Sequence, residues 1–117
     1  MIVILTQDLM MTSSVSAVAR NKALEFKSAA NPERAVKLIG EHSVSVLLID
    51  LQLSNLDLQQ LMDQLAATGR PRPRMIAYAQ HVNVNLLSAA RQVGIEEVLT
   101  RGQLHGNLET LLGSINQ

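Results

Sequence analysis

Short continuous runs of β-branched residues and leucine alternate along this chain with segments whose apolar residues recur at helical spacing. That alternation restricts the fold more than any other feature. Residues 2–5 (Ile-Val-Ile-Leu) and 44–49 read as strands covered on both faces, and residues 75–79 and 97–100 as further strands. Residues 24–28 make a weaker strand. Between them, Met11, Val15, Val18 and Ala19 mark a helix over about 11–23, and Ala35, Leu38 and Ile39 mark a second. The second opens on Asn31-Pro32, a cap followed by proline at the first helical position, and ends at Gly40. Leu58, Leu61, Met62 and Leu65 line a third helix that closes at Gly69. Leu86, Leu87, Ala90 and Val93 line a fourth, stopped by Gly94. Leu108, Leu111, Leu112 and Ile115 line the last, with Gly106 and Gly113 weakening its ends.

Strands separated by helical crossovers pair in parallel, and each crossover is right-handed. Five βα units therefore predict an α/β fold, a three-layer (βα)5 sandwich with one five-stranded parallel sheet. The expected strand order is the flavodoxin-like 2-1-3-4-5. No composition shift or low-complexity stretch divides the chain, so residues 1–117 are expected to form one domain. Sites in such sheets lie beyond the carboxyl ends of the strands. That rule selects Gln7, Asp8, Asp50, Tyr78, Ala79, Thr100 and Arg101.

Composition removes several function classes. Ten Lys+Arg balance ten Asp+Glu for a formal net charge of zero, which argues against a nucleic-acid binder held by a basic field. The absence of cysteine excludes disulfide scaffolds, thiol catalysis and Cys-based zinc sites. Phe26 and Tyr78 are the only aromatic residues, so a stacking platform for bases or sugars is not expected. The apolar runs are too short for a signal-peptide core or a membrane span. The expectation is a cytoplasmic protein with no direct membrane or nucleic-acid partner. No phosphate-binding glycine loop and no nucleophile–base pair appears, so an enzyme is not expected.

Asp8 follows the first strand and Asp50 ends the third, and in the order 2-1-3-4-5 these two strands are neighbours. Two close carboxylates need a cation, a shared proton or a basic partner. One reading is a divalent-cation site, with Mg2+ favoured by oxygen ligands. The other pairs Asp50 with Arg101 in a structural salt bridge and leaves Asp8 capping the first helix. Residue types alone leave both open.

Here the chain resembles the receiver (CheY-like) domain of two-component response regulators over essentially its whole length. The segment Val46-Leu-Leu-Ile-Asp50-Leu-Gln-Leu-Ser-Asn-Leu-Asp57 is similar to the family's strand, phosphoacceptor Asp and following loop. Gly94-Ile-Glu-Glu-Val-Leu-Thr-Arg101 is similar to the stretch leading to its Lys. The resemblance implies that Asp50 is the phosphoacceptor, that Asp8 is the second of two acids holding Mg2+, and that Gln52 offers a backbone carbonyl to the same ion. It also implies protein partners: a histidine kinase or a downstream regulator.

The departures from that pattern are as informative as the matches. Gln7 stands where the first acid belongs, and Tyr78 where a small Thr or Ser hydroxyl belongs. Val98 replaces the family's switch aromatic, and Arg101 replaces Lys, a compact charge that a planar guanidinium does not reproduce. Phosphoryl transfer depends almost wholly on positioning and charge stabilisation. The expectation is therefore an atypical pseudo-receiver that acts as a protein-interaction module, with weak or no phosphorylation and at most weak Mg2+ binding. The alternative is a working switch phosphorylated on Asp50 by a histidine kinase with Mg2+. A homodimer through a face containing Asn85, Ser88, Ala89, Gln92, Val98 and Glu109 is compatible with either.

Other features are expected to be structural. Tyr78 is read as a packing residue that fills the space left at Val98. His42, His81 and His105 lack metal-ligand spacing. The hydroxyls of Thr12, Ser13 and Ser14 are read as helix-start caps rather than a phosphate cradle. The Arg70-Pro-Arg-Pro-Arg74 run is read as a solvated loop, and Met10 and Met11 as gap-fillers in the core.

Overall fold

The computed structural model describes residues 1–113. Its element order is β1 Ile2–Leu5, α1 Leu9–Asn21, β2 Phe26–Ala29, α2 Pro32–Glu41, β3 Val46–Asp50, α3 Leu58–Ala67, β4 Arg74–Ala79, α4 Val84–Gln92, β5 Glu97–Thr100, α5 Arg101–Gly106 and α6 Leu108–Gly113. All strands pair in parallel in one five-stranded sheet of order β2-β1-β3-β4-β5. The predicted (βα)5 sandwich is the fold observed.

The central strands β1, β3 and β4 read as unbroken apolar runs because both faces of each are covered. On one face Val3, Leu5, Leu47, Ile49 and Ala77 meet the apolar stripes of α2, α3 and α4. On the other Ile2, Ile4, Val46, Leu48, Ile76 and Tyr78 meet Met11, Val15 and Ala19 of α1, Leu104 of α5, and Leu108 and Leu112 of α6. Full burial of each Ile, Leu or Val contributes about 1.5–3 kcal/mol, which is why the sheet interior is the stable frame for what projects from its edge.

The element ends depart from the sequence reading in instructive ways. The weak strand expected at 24–28 lies at Phe26–Ala29. Ala23 adopts a left-handed φ of 55°, and the Leu24 N–H turns back to Ala19 O at 2.9 Å, so the chain is still closing α1 there. The strand expected at 44–49 runs Val46–Asp50 and so carries the carboxylate as its last residue. The last helix, α6, begins at Leu108 as its apolar stripe implies, but a short helix not expected from the sequence, α5, precedes it and opens at Arg101, directly after β5. Thr100 and Gln103 form a reciprocal capping box at this junction. Ile115, expected in the last helix, lies outside the described residues.

Three side-chain expectations are corrected. Met11 is fully buried, but Met10 is 75% exposed beside Leu9 at 82%, so Met10 fills no gap. The arginine run is not merely solvated: Arg70 Nε donates to Gly40 O, and Arg72 Nη2 donates to Gly94 O. Arg74 clasps Glu97 of β5 with two contacts of 2.6 Å and donates to Leu111 O, tying two strands to α6. Glu109, expected only as part of a dimer face, also pairs with Lys22, the residue that caps the end of α1, at 3.2 Å. Asn85, Ser88, Ala89 and Gln92 are exposed on α4, as expected, and Val98 is half-buried.

Candidate functional site

The site forms where β1, β3, β4 and β5 end. Leu5 is in register with Ile49, and Asp50 with Tyr78. One residue past Leu5, Thr6 therefore lies beside Asp50, and its hydroxyl donates to Asp50 Oδ2 at 2.6 Å. The other carboxylate oxygen, Oδ1, accepts from the Gln52 N–H at 2.9 Å. Thr6 is nearly buried and its Oγ1 is the hub of the site. It accepts from the Asp8 N–H at 2.9 Å and from the Tyr78 hydroxyl at 3.2 Å while donating to Asp50.

Asp8 has two engagements of its own. Its Oδ1 accepts from Met11 N at 3.1 Å, capping α1. Its Oδ2 meets Arg101 Nε at 3.0 Å and Nη2 at 2.9 Å. Arg101 reaches it from the first residue of α5, a position made possible by the Thr100 cap. Of the two structural roles expected for the acids, the helix cap is observed, but the salt bridge is different: Arg101 pairs with Asp8, not Asp50. The reason is the strand order, which puts Thr6 against Asp50 and supplies a neutral donor where a cation was expected.

The electrostatics follow from these contacts. Burial works to raise the Asp8 carboxyl, but the Met11 N–H and the Arg101 guanidinium outweigh it, and the group lies below the ordinary carboxylate value. Burial pushes the Tyr78 phenol well above its usual range, partly opposed by the Thr6 hydrogen bond. Tyr78 is a packing residue, as expected, yet it does not fill space at Val98. Tyr78 pairs with Leu99 and Val98 with Ala77, so the two side chains belong to opposite faces of the sheet and to different cores.

Gln7 takes no part: it is exposed, and its Nε2 donates to Ala30 O at 3.1 Å. Gln52 contributes through its backbone N–H and through Oε1, which accepts from Gln80 N at 2.7 Å and joins the loops after β3 and β4. Thr6 is the residue that sequence reasoning missed. Its signal was present: counting by two from Ile2 and Ile4 puts Thr6 on the face that counting by two from Val46 and Leu48 assigns to Asp50. Thr12 spends its hydroxyl on Asp8 O at 2.9 Å, consistent with a helix-start role.

The residues present do not fit a divalent cation. Asp8 Oδ2 is engaged by two nitrogens of the Arg101 guanidinium, and Gln7 beside Asp8 is neutral and turned to Ala30 O, so little anionic oxygen is left for an ion. Among the described residues, no group of three or more His, Cys, Asp or Glu is arranged to hold a metal. None of the described helices is long and apolar enough to cross a membrane.

A family model described as the response regulator receiver domain matches residues 2–112. No curated protein matches the chain significantly. Among solved structures, the receiver domain of NtrX from Brucella abortus is similar with a TM-score of 0.79 at 15% identity, covering 98% of this chain and 97% of that one. The beryllofluoride-activated receiver domain dimer of NtrC4 gives 0.73 at 19% identity, with 97% of each chain covered. A response regulator from Burkholderia pseudomallei, solved with a phosphorylated aspartic acid, calcium ion and citrate, gives 0.76 at 18% identity, covering 97% of this chain and 65% of that one.

Proposed function

The chain belongs to the response regulator receiver domain family, and within that family we propose that it is a pseudo-receiver: a signalling module that works by binding other proteins, with weak or no phosphorylation of Asp50. One observation carries this reading. The carboxylate of Asp50 already has its own partners, with the Thr6 hydroxyl on Oδ2 and the Gln52 backbone N–H on Oδ1, while the guanidinium of Arg101 is engaged by Asp8. A phosphoryl group arriving at Asp50 meets neither a free cation nor a small hydroxyl from β4, since Tyr78 occupies that place with its oxygen already bonded. Stabilisation of the charge on the transferring group is the main source of rate in this chemistry, and little of it is on offer.

On this reading residues 1–117 act as one receiver-like domain in the cytoplasm, with a histidine kinase or a downstream regulator as protein partner. Mg2+ binds weakly or not at all. A homodimer through the α4 surface of Asn85, Ser88, Ala89 and Gln92 is compatible with it, and the NtrC4 receiver domain forms a dimer. The second reading is a switch phosphorylated on Asp50 with Mg2+. It is favoured by the half-exposed Asp50 at the carboxyl end of β3 and by the phosphorylated aspartic acid of the Burkholderia pseudomallei protein. Incubation with acetyl phosphate or phosphoramidate and Mg2+, followed by intact-protein mass spectrometry, separates the two. No mass gain is expected. Stoichiometric gain of one phosphoryl group, abolished by Asp50→Asn, overturns the pseudo-receiver.

A further inference from the structure

Of the features that disfavour a divalent ion at this site, one is a single charged side chain placed on the acid itself. Asp8 and Asp50 are two carboxylates tied to one Thr6 oxygen, Asp8 through its backbone N–H and Asp50 through Oδ2. Both carboxylates also act on the buried Tyr78 hydroxyl, so the two negative charges face one site and call for compensation. The compensation present is Arg101, whose Nε and Nη2 both converge on Asp8 Oδ2, at 3.0 and 2.9 Å. A Mg2+ or Mn2+ ion would need that same oxygen at about 2.1 Å, with further oxygens completing an octahedron. Ion and guanidinium compete for it, since both are positive and both draw on the same anionic oxygen.

We infer that Arg101 is a built-in counter-cation which takes the place of a divalent ion at Asp8 and closes the Asp8–Asp50 pocket to metals. The inference rests on the pseudo-receiver reading and explains how that state is held without any bound ion. Three structural features keep the arrangement in place. Thr100 and Gln103 cap α5 and fix the backbone from which Arg101 projects. Met11 N–H holds the other oxygen of Asp8. Thr6 supplies Asp50 with a neutral donor, so that Asp50 makes no demand on the guanidinium. The cation is thus covalently part of the chain, and its effective concentration is independent of the metal in solution.

The test uses the full chain and Mn2+ as the probe, since carboxylate oxygen sites that accept Mg2+ also accept Mn2+. Binding is followed by the loss of the free Mn2+ electron-spin signal and by the fluorescence of Tyr78, the single tyrosine. The wild-type chain is expected to show no saturable binding at millimolar Mn2+. Arg101→Gln, which keeps a polar side chain of similar reach but removes the charge, and Arg101→Ala are each expected to tighten Mn2+ binding by about tenfold or more. Adding Asp8→Asn to either is expected to abolish the gain. Wild-type binding as tight as that of the Arg101 variants overturns the inference, as does a gain that survives Asp8→Asn. The outcomes separate cleanly from those of the labelling experiment. Phosphorylation of a wild-type chain that binds no metal defeats the pseudo-receiver reading alone, whereas metal binding by a wild-type chain that takes no phosphoryl group defeats the counter-cation alone.

Discussion

The Thr6 hydroxyl donates to Asp50 Oδ2 at 2.6 Å, across the pair of central strands β1 and β3. The same oxygen accepts from Tyr78 and from the Asp8 backbone, so one small side chain satisfies three polar groups at the mouth of the sheet. Removing it leaves a buried phenol and a partly buried carboxylate each short of a partner. Thr6→Val, which keeps the shape, is expected to lower stability by about 2–3 kcal/mol, because unsatisfied buried polar groups carry their full desolvation cost. Tyr78→Phe removes one donor and strands nothing, since Thr6 still has the Asp8 N–H to accept from; about 1 kcal/mol is expected. Urea unfolding of both variants checks the order. A larger loss for Tyr78→Phe than for Thr6→Val would show that Thr6 is not the hub.

Acid sensitivity follows from Asp8. Its folded carboxyl titrates below the unfolded value, so the native state binds fewer protons near that pH and stability rises with pH there. The contribution is fully present above the unfolded value, near pH 4, and is lost as pH falls through the lower folded value. Asp8→Asn is expected to flatten the decline of the melting temperature below pH 4. A decline as steep as that of the wild type would place the acid sensitivity elsewhere.

Tyr78 sets the opposite limb. Its phenol is raised by burial, so the native state keeps a proton that the unfolded chain gives up. Stability from this group is complete below the unfolded value of about 10 and falls as pH rises above it. In the folded chain, phenolate absorbance is expected to appear only together with unfolding at alkaline pH. Tyr78→Phe is expected to weaken the alkaline decline in stability. Reversible ionisation with the fold intact at pH 10 would contradict the burial of the hydroxyl.

At the opposite edge of the sheet, Arg74 holds Glu97 through two contacts of 2.6 Å and bonds Leu111 O as well. About a third of each side chain is exposed, so the pair itself contributes about 1 kcal/mol at most. Glu97→Gln is expected to cost no more than that. Arg74→Ala is expected to cost more, because the tether from β4 to α6 goes with it. Hydrogen exchange localises the effect: faster exchange in α6 for Arg74→Ala than for Glu97→Gln is the expected pattern.

Met10, exposed beside Leu9 at the start of α1, contributes no core packing. Met10→Ser is expected to change stability by less than about 0.5 kcal/mol, whereas Met11→Ser is expected to cost about 3 kcal/mol through the cavity and the buried hydroxyl it leaves. Chemical denaturation of the two variants reads the difference directly.

The order of strands and helices could be read directly from residue spacing, because burial imposes periods of about two and 3.6 on any chain that must hide an apolar face. Ile2–Leu5 and Val46–Ile49 could be little else than covered parallel strands, and Asp50 at the end of one of them was thereby placed at the sheet's mouth. Helix ends were harder: α5 hides behind Gly102 and Gly106, and only the Thr100–Gln103 box betrays it. Which polar groups meet was legible only in part: the Asp8 cap and the shared face of Thr6 and Asp50 could be counted out, but the partner of Arg101 could not. Asp50 could have taken Arg101, and residue types alone favour an acid finding a base. The choice was made by register and by the direction of side chains at three strand ends, which gave Asp50 to Thr6 and left the guanidinium for Asp8. Burial patterns are local and repeat, so they survive in one dimension; pairing between residues 93 positions apart exists only once the sheet has brought them within 3 Å.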